Sequence, residues 1–362
     1  MTRIGVMHLI DSLEPGGAER VAVDSVNHLP RDRYRPFLCA TRKGGPLLDK
    51  LAGDVKYLPL GRKNTVDLVA IWRLRAFVQR HDIQVLHAHS SSLFVALAAS
   101  RLGRYPRVVW HMHYGGFVVR KLDEFLFRCA AARASAAIAV TADLREWAAR
   151  RLEMKSERVY YVPNFVSLQF AAAASDLPGA PGKRIVCVAN LRPPKDQIGL
   201  VRAMQMVVRN DAGAHLILAG SETDSVYANA VRAEIERRSL TRHVTLLGRR
   251  LDIPEILAGC DVGVLGSAIE GFPLSLIEYG AAGLPVVATR VGQCEEVLGG
   301  GAGVLVPPGD PEGLADAIVR LLQSAESRGE LGRSFRKRVE ARYNPRAITG
   351  QVSEIYERVL CR

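Results

Sequence analysis

Two glutamates, Glu270 and Glu278, stand eight residues apart with Pro273 between them. Proline suits the first turn of a helix, where the backbone N–H groups have no partner within the helix. Such a helix start carries about half a positive charge and can bind phosphate without a metal. Two carboxylates would repel a diphosphate, so hydroxyl groups are their expected partners. An ordinary helix start followed by one exposed glutamate is the competing interpretation. The N–H groups expected to be free belong to Phe272, Leu274 and Ser275.

A second pair of charged residues, Arg192 and Lys195, follows a short apolar run. Cations spaced by three residues at the mouth of a helix can grip a diphosphate and offset charge on a departing nucleotide. The following residue, Asp196, is expected to cap the helix. The alternative is a pair of solvated cations in a loop.

Glycines and histidines supply two further signals in the first half of the chain. Gly16 and Gly17 form a turn that a ligand could approach closely, although the pattern is not the GxGxxG of dinucleotide-binding proteins. Two His-x-His pairs each end an apolar run, so the members of each pair share one face of a strand. Four histidines raise the possibility of zinc, but no cysteine or carboxylate pattern accompanies them, and we expect no metal. The pairs are His87 with His89 and His111 with His113.

These residues lie in a chain that alternates short apolar runs with amphipathic stretches. Such strands, each followed by a helix, indicate α/β architecture with parallel sheets covered on both faces. The expected strands of the first half are residues 3–10, 34–40, 56–60, 84–89, 107–113, 136–141 and 158–162. Those of the second half are residues 184–189, 214–218, 244–247, 262–265, 285–289 and 303–306.

The punctuation of the chain predicts its domains. Alanines followed by a proline- and glycine-rich stretch indicate a linker, and Pro345 must interrupt the helical tail. Asp310, followed by Pro311, is a typical helix start. The prediction is a first domain over 1–166, a linker over 167–183, a second domain over 184–342 and a final helix over 343–362.

Composition narrows the function classes. The six cysteines are scattered and show no CxxC pair, which favours a reduced compartment. With neither a signal peptide nor a membrane-spanning run in view, we expect a cytoplasmic protein. Residues 1–166 have a net charge of +11 out of +12 for the chain. Such a surface attracts anionic lipids or phosphorylated acceptors, and the amphipathic segment 118–133 is a candidate for the inner face of the plasma membrane; a solvated arginine-rich surface is equally consistent.

The motif around Glu270 resembles the signature of retaining GT-B glycosyltransferases, especially family 4. The resemblance rests on Glu270, Gly271, Phe272 and Pro273 with Glu278 downstream, and on the glycine-rich run 280–289. It covers nearly the whole chain, and its specific residues concentrate between 184 and 308. It implies two Rossmann-like domains facing a central cleft, with the C-terminal helix crossing back to the first domain. It also implies metal-independent, retaining transfer from a nucleotide-diphosphate sugar to a saccharide or lipid-linked acceptor, without a cofactor.

The resemblance assigns roles residue by residue. Glu270 contacts the donor sugar, Glu278 holds the ribose, and Arg192 and Lys195 hold the diphosphate together with Gly271, Phe272, Leu274 and Ser275. The histidine beside the transferred sugar is best matched by His113, with His111 as the rival. The turn at Gly16 and Gly17 lies near donor phosphate and acceptor. Weaker matches are Arg249, His89 and Asn164. The chain departs from the family at Asp196 and Gln293, where glycines are usual, and the second departure puts a loop contact in doubt.

The expected context is assembly of a cell-surface polysaccharide, lipopolysaccharide or glycolipid. Two other classes compete with transfer: a nucleotide-sugar-binding protein without turnover, and a Rossmann oxidoreductase. The missing GxGxxG argues against the oxidoreductase. Nucleic-acid binding is not expected, because only charge supports it and no interleaved aromatic platform is present.

Overall fold

The computed structural model describes residues 3–64, 66–100, 106–113, 121–167, 172 and 176–361. The chain divides into two units, Met1–Ser167 with Pro345–Arg362, and Leu168–Asn344. The predicted linker 167–183 and the segment 118–133 both lie partly outside the described residues.

The first unit is built on a seven-stranded parallel sheet with the order β3-β2-β1-β4-β5-β6-β7. The order reverses between β1 and β4, which is the arrangement of a Rossmann fold. The strands are β1 Ile4–Ser12, β2 Tyr34–Lys43, β3 Lys56–Pro59, β4 Ile83–His89, β5 Arg107–Met112, β6 Ala136–Ala139 and β7 Val159–Tyr161. The helices before the second unit are α1 Gly17–Asn27, α2 Leu68–Arg80, α3 Leu93–Ser100, α4 Lys121–Ala131 and α5 Ala142–Arg151.

The second unit repeats the plan with six parallel strands in the order β10-β9-β8-β11-β12-β13. Its strands are β8 Arg184–Val188, β9 His215–Ala219, β10 Val244–Gly248, β11 Val262–Leu265, β12 Val286–Thr289 and β13 Val304–Val306. Its helices are α6 Gln197–Asn210, α7 Ser225–Arg237, α8 Ile253–Ala258, α9 Leu274–Ala282, α10 Cys294–Leu298, α11 Pro311–Gln323 and α12 Ala325–Arg342. Both sheets are therefore of the predicted parallel, Rossmann-like type.

The last helix, α13 Pro345–Cys361, belongs to the first unit. Its residues Ile348, Ile355 and Val359 are buried in one cluster with Val6 of β1 and Val85 of β4. Because side chains alternate along a strand, His8 and His87 share the face of the sheet that these valines occupy. Helix α13 therefore covers the histidine-bearing face.

Local signals explain where several helices begin and end. The Asp310 carboxylate accepts a hydrogen bond of 2.9 Å from Gly313 N, so the predicted cap of α11 is confirmed. Helix α12 ends at Arg342 and α13 begins at Pro345, as the proline required. Helices α8 and α10, of six and five residues, were not predicted. Among the described residues, none of the helices combines the length and apolar character needed to cross a bilayer.

Candidate active site

The carboxyl ends of β8 and β11, where the strand order of the second unit reverses, bring Lys195 and Glu270 together. The Nζ atom of Lys195 lies 2.6 Å from Oε1 of Glu270, and their side chains are 14% and 6% exposed. Ser267 donates a hydrogen bond of 2.6 Å to the same oxygen. Ligands of open α/β sheets bind at such reversal points. Two predicted residues, 75 positions apart, therefore form one buried pair where a ligand is expected.

Asp196, the residue after Lys195, fixes the conformation of the loop that carries this lysine. Asp196 has a left-handed backbone, with φ 45° and ψ 47°. Its carboxylate accepts a hydrogen bond of 3.0 Å from Gly199 N, which caps α6 as predicted. Glycine adopts this conformation at little cost, and aspartate is among the side chains that tolerate it. The departure from the family's glycine therefore keeps the turn and adds a cap.

The start of α9 offers backbone N–H groups to a ligand. Pro273 precedes the helix with an extended backbone, and among the described residues no side chain caps this end. Ser275 and Glu278, in the first two turns, are 9% and 7% exposed. The Phe272 ring packs edge-on against Tyr343 at 5.7 Å between centroids. The helix start therefore supplies partial positive charge beside the Lys195–Glu270 pair.

A neighbouring loop supports Glu270 and Gly271 from behind. Gly292 has φ +51°, and a β-carbon there would lie 2.3 Å from the Glu270 carbonyl oxygen. The next residue, Gln293, donates its backbone N–H to the carbonyl of Gly271 at 3.0 Å. The backbone of this loop therefore contacts the Glu270–Gly271 segment with glutamine at position 293.

The two predicted arginines of this unit are both exposed. Arg192 precedes the 3₁₀ turn Pro193–Lys195, and its carbonyl accepts from Lys195 N at 3.0 Å. Arg249 follows Gly248, which has φ +65°. The solvent exposure of both arginines leaves them accessible to an anionic ligand.

Thiol chemistry is not available at this site. Burial raises the pKa of Cys187 on β8 and of Cys294 at the start of α10 to about 12 in each case, although the charge of Lys195 opposes the shift. Both thiols are therefore protonated at neutral pH and are poor nucleophiles.

The first unit has its own reversal point, between β1 and β4, where the predicted turn lies. Gly16 precedes α1 with an extended backbone, and Gly17 is the first helical residue. A β-carbon on Gly16 would lie 2.3 Å from Oε2 of Glu19. The Glu19 side chain therefore folds back over the turn, and a β-carbon at position 16 would have to displace its carboxylate.

Asp11, near the end of β1, is a functional candidate that sequence reasoning missed. Its carboxylate accepts hydrogen bonds from Thr41 at 2.5 Å and from Ser91 at 2.6 Å, and Arg62 lies 3.2 Å away. Burial alone would raise the pKa of Asp11, but these hydrogen bonds and the charges of Arg62 and Arg42 outweigh it and lower the pKa. An ionised carboxylate is thus held at the carboxyl edge of the sheet.

All four predicted histidines lie together in the first unit, and a fifth joins them. His8 of β1 is adjacent to His87 in register, and His89 is adjacent to His111. Burial lowers the pKa of all five, to about 3 for His8 and His113. His113 follows β5 and is 8% exposed, whereas the rival His111 lies within the strand and is 4% exposed. All five histidine side chains are therefore neutral at physiological pH.

Two triads of these histidines have nitrogen atoms close enough to hold a metal ion. They are His8, His87 and His89, and His89, His111 and His113, with ligand atoms within 4.8 Å. Several of the nitrogens, however, lie at hydrogen-bond distance from one another.

Asn164, the remaining candidate of this unit, is 6% exposed, and its Oδ1 atom has no hydrogen-bond partner among the described residues.

Comparison with known proteins identifies the family. A model of "Glycosyltransferase Family 4" matches residues 15–170, and one of "Glycosyl transferases group 1" matches residues 182–324. The chain is a GT-B glycosyltransferase of family 4. Each Rossmann-like unit is thus matched by its own family model.

Alignments with two relatives cover most of the glycosyltransferase chain. The N-acetyl-alpha-D-glucosaminyl L-malate synthase of Bacillus anthracis is 27% identical over 81% of this chain and 80% of its own. The UDP-Gal:alpha-D-GlcNAc-diphosphoundecaprenol alpha-1,3-galactosyltransferase of Escherichia coli is 25% identical over 84% of each chain. Among solved structures, Anabaena HepE in complex with UDP and glucose shares 22% identity, with a TM-score of 0.82 over 96% of this chain and 98% of its own. That likeness shows the GT-B fold.

Proposed function

We propose that this glycosyltransferase moves a sugar from a nucleotide-diphosphate sugar to a saccharide or lipid-linked acceptor, with retention of configuration and without a metal. The observation that carries the proposal is the Lys195–Glu270 pair at 2.6 Å beside the uncapped start of α9. Lysine, an exposed arginine and a helix start supply positive charge for a diphosphate. The same positive charge takes over the role that a divalent cation would otherwise have.

Each carboxylate has a part in this proposal. Glu278, in the second turn of α9, receives the ribose hydroxyls. Glu270, already paired with Lys195 and Ser267, orients the hydroxyl groups of the donor sugar while keeping the lysine in place. As the bond to the sugar breaks, negative charge grows on the diphosphate, and Lys195 and Arg192 stabilise it. A diphosphate oxygen takes the proton of the acceptor hydroxyl. The first unit, with His113 and the Gly16–Gly17 turn, is proposed to bind the acceptor and contact a sugar hydroxyl.

The test is binding and turnover in the presence of EDTA. We expect one class among UDP-, GDP- and ADP-sugars to raise Tm without metal, and UDP-sugars come first because the Escherichia coli relative is named for UDP-Gal. NMR of the product should show the anomeric configuration of the donor. A shift in Tm without nucleotide release in the presence of varied acceptors would support the alternative, a binding protein without turnover. Loss of all binding in EDTA, restored by Mg²⁺, would contradict metal independence.

We also propose that the first unit docks on an anionic membrane surface, as expected for a lipid-linked acceptor. The support is an apolar surface at the start of α2, which we call the α2 patch. Its side chains are exposed, and Lys63, Arg73 and Arg80 are exposed near them. Exposed apolar residues with neighbouring cations are typical of helices that lie in a lipid interface. The α2 patch consists of Val66 at 72%, Leu68 at 74%, Val69 at 69% and Trp72 at 69% exposure.

The acceptor proposed on these grounds belongs to the assembly of a cell-surface polysaccharide, lipopolysaccharide or glycolipid. The Escherichia coli relative is named for a diphosphoundecaprenol-linked acceptor, which is consistent with an enzyme working at the inner face of the plasma membrane. Transfer to a water-soluble acceptor but not to a lipid-linked saccharide would argue against this assignment.

A further inference from the structure

The buried histidines of the first unit are connected through a tyrosine of the last helix. Tyr356 of α13 is fully buried, and its hydroxyl lies 2.6 Å from Nδ1 of His87 and 3.2 Å from Nε2 of His8. The remaining contacts are His8 Nδ1 to His89 Nε2 at 3.0 Å, His89 Nδ1 to His113 Nε2 at 2.8 Å, and His87 Nε2 to His111 Nδ1 at 2.9 Å. We call these six side chains the histidine chain; in order they are His113, His89, His8, Tyr356, His87 and His111.

Every contact between two rings of the histidine chain joins an Nδ1 atom to an Nε2 atom. A neutral imidazole has one N–H donor and one acceptor nitrogen, and burial lowers the pKa of all five histidines, which keeps them neutral. Only two arrangements satisfy all five contacts and also give the hydroxyl proton of Tyr356 an acceptor among them. Either all five histidines are protonated on Nδ1, or all five are protonated on Nε2. Any mixture either sets two donors or two acceptors against each other, or makes the Tyr356 oxygen accept from both His8 and His87, which leaves its buried O–H without an acceptor in the chain.

The two ends of the histidine chain decide between these states. At one end, Nε2 of His111 is buried and has no partner among the described residues. If the chain were protonated on Nε2, this atom would be a buried N–H without an acceptor, which is rarer in proteins than a buried acceptor without a donor. The Nδ1 state instead leaves only an unused lone pair on His111. The other end, Nδ1 of His113, belongs to the most exposed of the five rings.

We propose that Tyr356 and His8 are positioning residues that hold His113 as an Nδ1–H donor for a hydroxyl group of a bound sugar. The naming of a sugar hydroxyl rests on the proposed function; the tautomer does not. In this state the Tyr356 hydroxyl accepts a hydrogen bond from Nδ1–H of His87 and donates one to Nε2 of His8. His8 then donates from Nδ1 to His89, and His89 donates from Nδ1 to Nε2 of His113. The hydroxyl of Tyr356 is the one group that joins the two halves of the histidine chain.

The experiment is NMR of the full-length protein with ¹⁵N-labelled histidine, without substrate. The nine histidines can be assigned by single substitutions, and protonated and unprotonated ring nitrogens resonate far apart. We expect the five histidines of the histidine chain to share the Nδ1–H tautomer. In Tyr356→Phe, His8 loses the donor that keeps its Nε2 unprotonated, so His8, His89 and His113 should show mixed tautomers.

Tyr34→Phe is the matched control. Tyr34 is also fully buried, and its ring contacts that of Tyr356 edge-on at 5.8 Å, but its hydroxyl donates to the carbonyl of Ser353 and not to a histidine. Unchanged tautomers in this variant, with a change in Tyr356→Phe, support the proposal. Mixed or Nε2–H tautomers in the unsubstituted protein would overturn it, as would stoichiometric zinc bound to the rings in purified protein. A failure of sugar transfer would leave these spectra unaffected, so the two proposals fail independently.

Discussion

The Nζ atom of Lys195 lies 2.6 Å from Oε1 of Glu270, across the reversal point of the second sheet. Both side chains are largely buried, so each holds the other in place. A lysine has three donors, of which the glutamate takes one, and the others remain for a diphosphate. The pair therefore prepares positive charge at a fixed position before the donor binds.

Substitution of Lys195 by glutamine should reduce turnover by about 100-fold or more, because charge on the leaving diphosphate loses a stabilising cation. Glu270→Gln should have a comparable effect through the sugar hydroxyls. Turnover is measured as nucleotide release at saturating donor, with circular dichroism and Tm as checks on folding. Lys183→Gln is the control, since Lys183 pairs with Asp211 elsewhere in the same unit. Near-normal rates in folded Lys195→Gln would show that the site is assigned wrongly.

The loop behind Glu270 gives a second prediction. In Gly292→Ala, the new β-carbon would meet the Glu270 carbonyl oxygen at 2.3 Å in a backbone with φ +51°, so Glu270 and Gly271 must shift. We expect weaker donor binding and lower turnover, because small displacements of positioning groups are costly. Titration calorimetry with the identified donor measures the loss.

Gly301→Ala is the control that distinguishes backbone strain from displacement of Glu270. Gly301 has φ +77° with no atom within 4 Å of a β-carbon, so alanine there brings similar backbone strain without touching Glu270. We expect lower stability but unchanged donor affinity in this variant. Equal loss of affinity in both variants would mean that the Gly292 loop has no particular role.

The strands could be located from the sequence, and the donor motif could be proposed from it, because both depend on local patterns. Apolar runs located the thirteen strands of the described residues, and the Glu270–Glu278 spacing could be recognised within nine residues. Short helices such as α8 and α10 were missed because they have too few turns to show a period. Ser267 was missed because a serine before a helix has many ordinary roles.

Contacts between distant residues could not be predicted in the same way. His8 meets His87 only because β1 and β4 pair in a particular register. Tyr356 reaches both through a helix that follows the entire second unit, and nothing near it in the sequence indicates a histidine. Asp11 is likewise defined by partners 30, 51 and 80 residues away. The histidine contacts and the Asp11 contacts form because strand pairing and helix packing bring distant residues together, which composition does not indicate.

The five buried histidines predict loss of stability in mild acid. Burial lowers the pKa of each in the folded state, to about 3 for His8 and His113, whereas unfolded histidine titrates near 6.5. Between these values the unfolded chain binds more protons than the folded one, so stability is complete above about pH 6.5 and falls as pH decreases. The slope should be about half of 1.4 kcal/mol per pH unit for each histidine at pH 6.5 and should approach about 1.4 kcal/mol per pH unit well below it.

Urea unfolding at pH 7.5, 6.5 and 5.5 measures the onset of this loss, which should total about 1.4 kcal/mol per histidine over the range. Glu234, whose pKa is lowered to about 2 by its arginine partners against the effect of burial, is linked to unfolding only near and below 4.5. Burial raises the pKa of Glu19, so that carboxyl stabilises the fold as pH falls and opposes the histidine effect. His113→Asn should reduce the stability lost between pH 7.5 and 5.5 by about 1.4 kcal/mol. Constant stability across the range would show that the five rings are not kept neutral by the fold.

Vesicle binding tests the α2 patch. Leu68→Ser with Trp72→Ser removes two side chains that are 74% and 69% exposed, so folding should be unaffected. Burial of such side chains in a lipid interface contributes roughly 1.5 kcal/mol or more each, and we expect affinity for vesicles containing phosphatidylglycerol to fall by about ten-fold or more. Val226→Ser is the control, because Val226 is 79% exposed on α7 of the other unit. Added salt should weaken binding of the unsubstituted protein, since cations beside the patch contribute. Equal vesicle binding by the double variant and the control would contradict docking through the α2 patch.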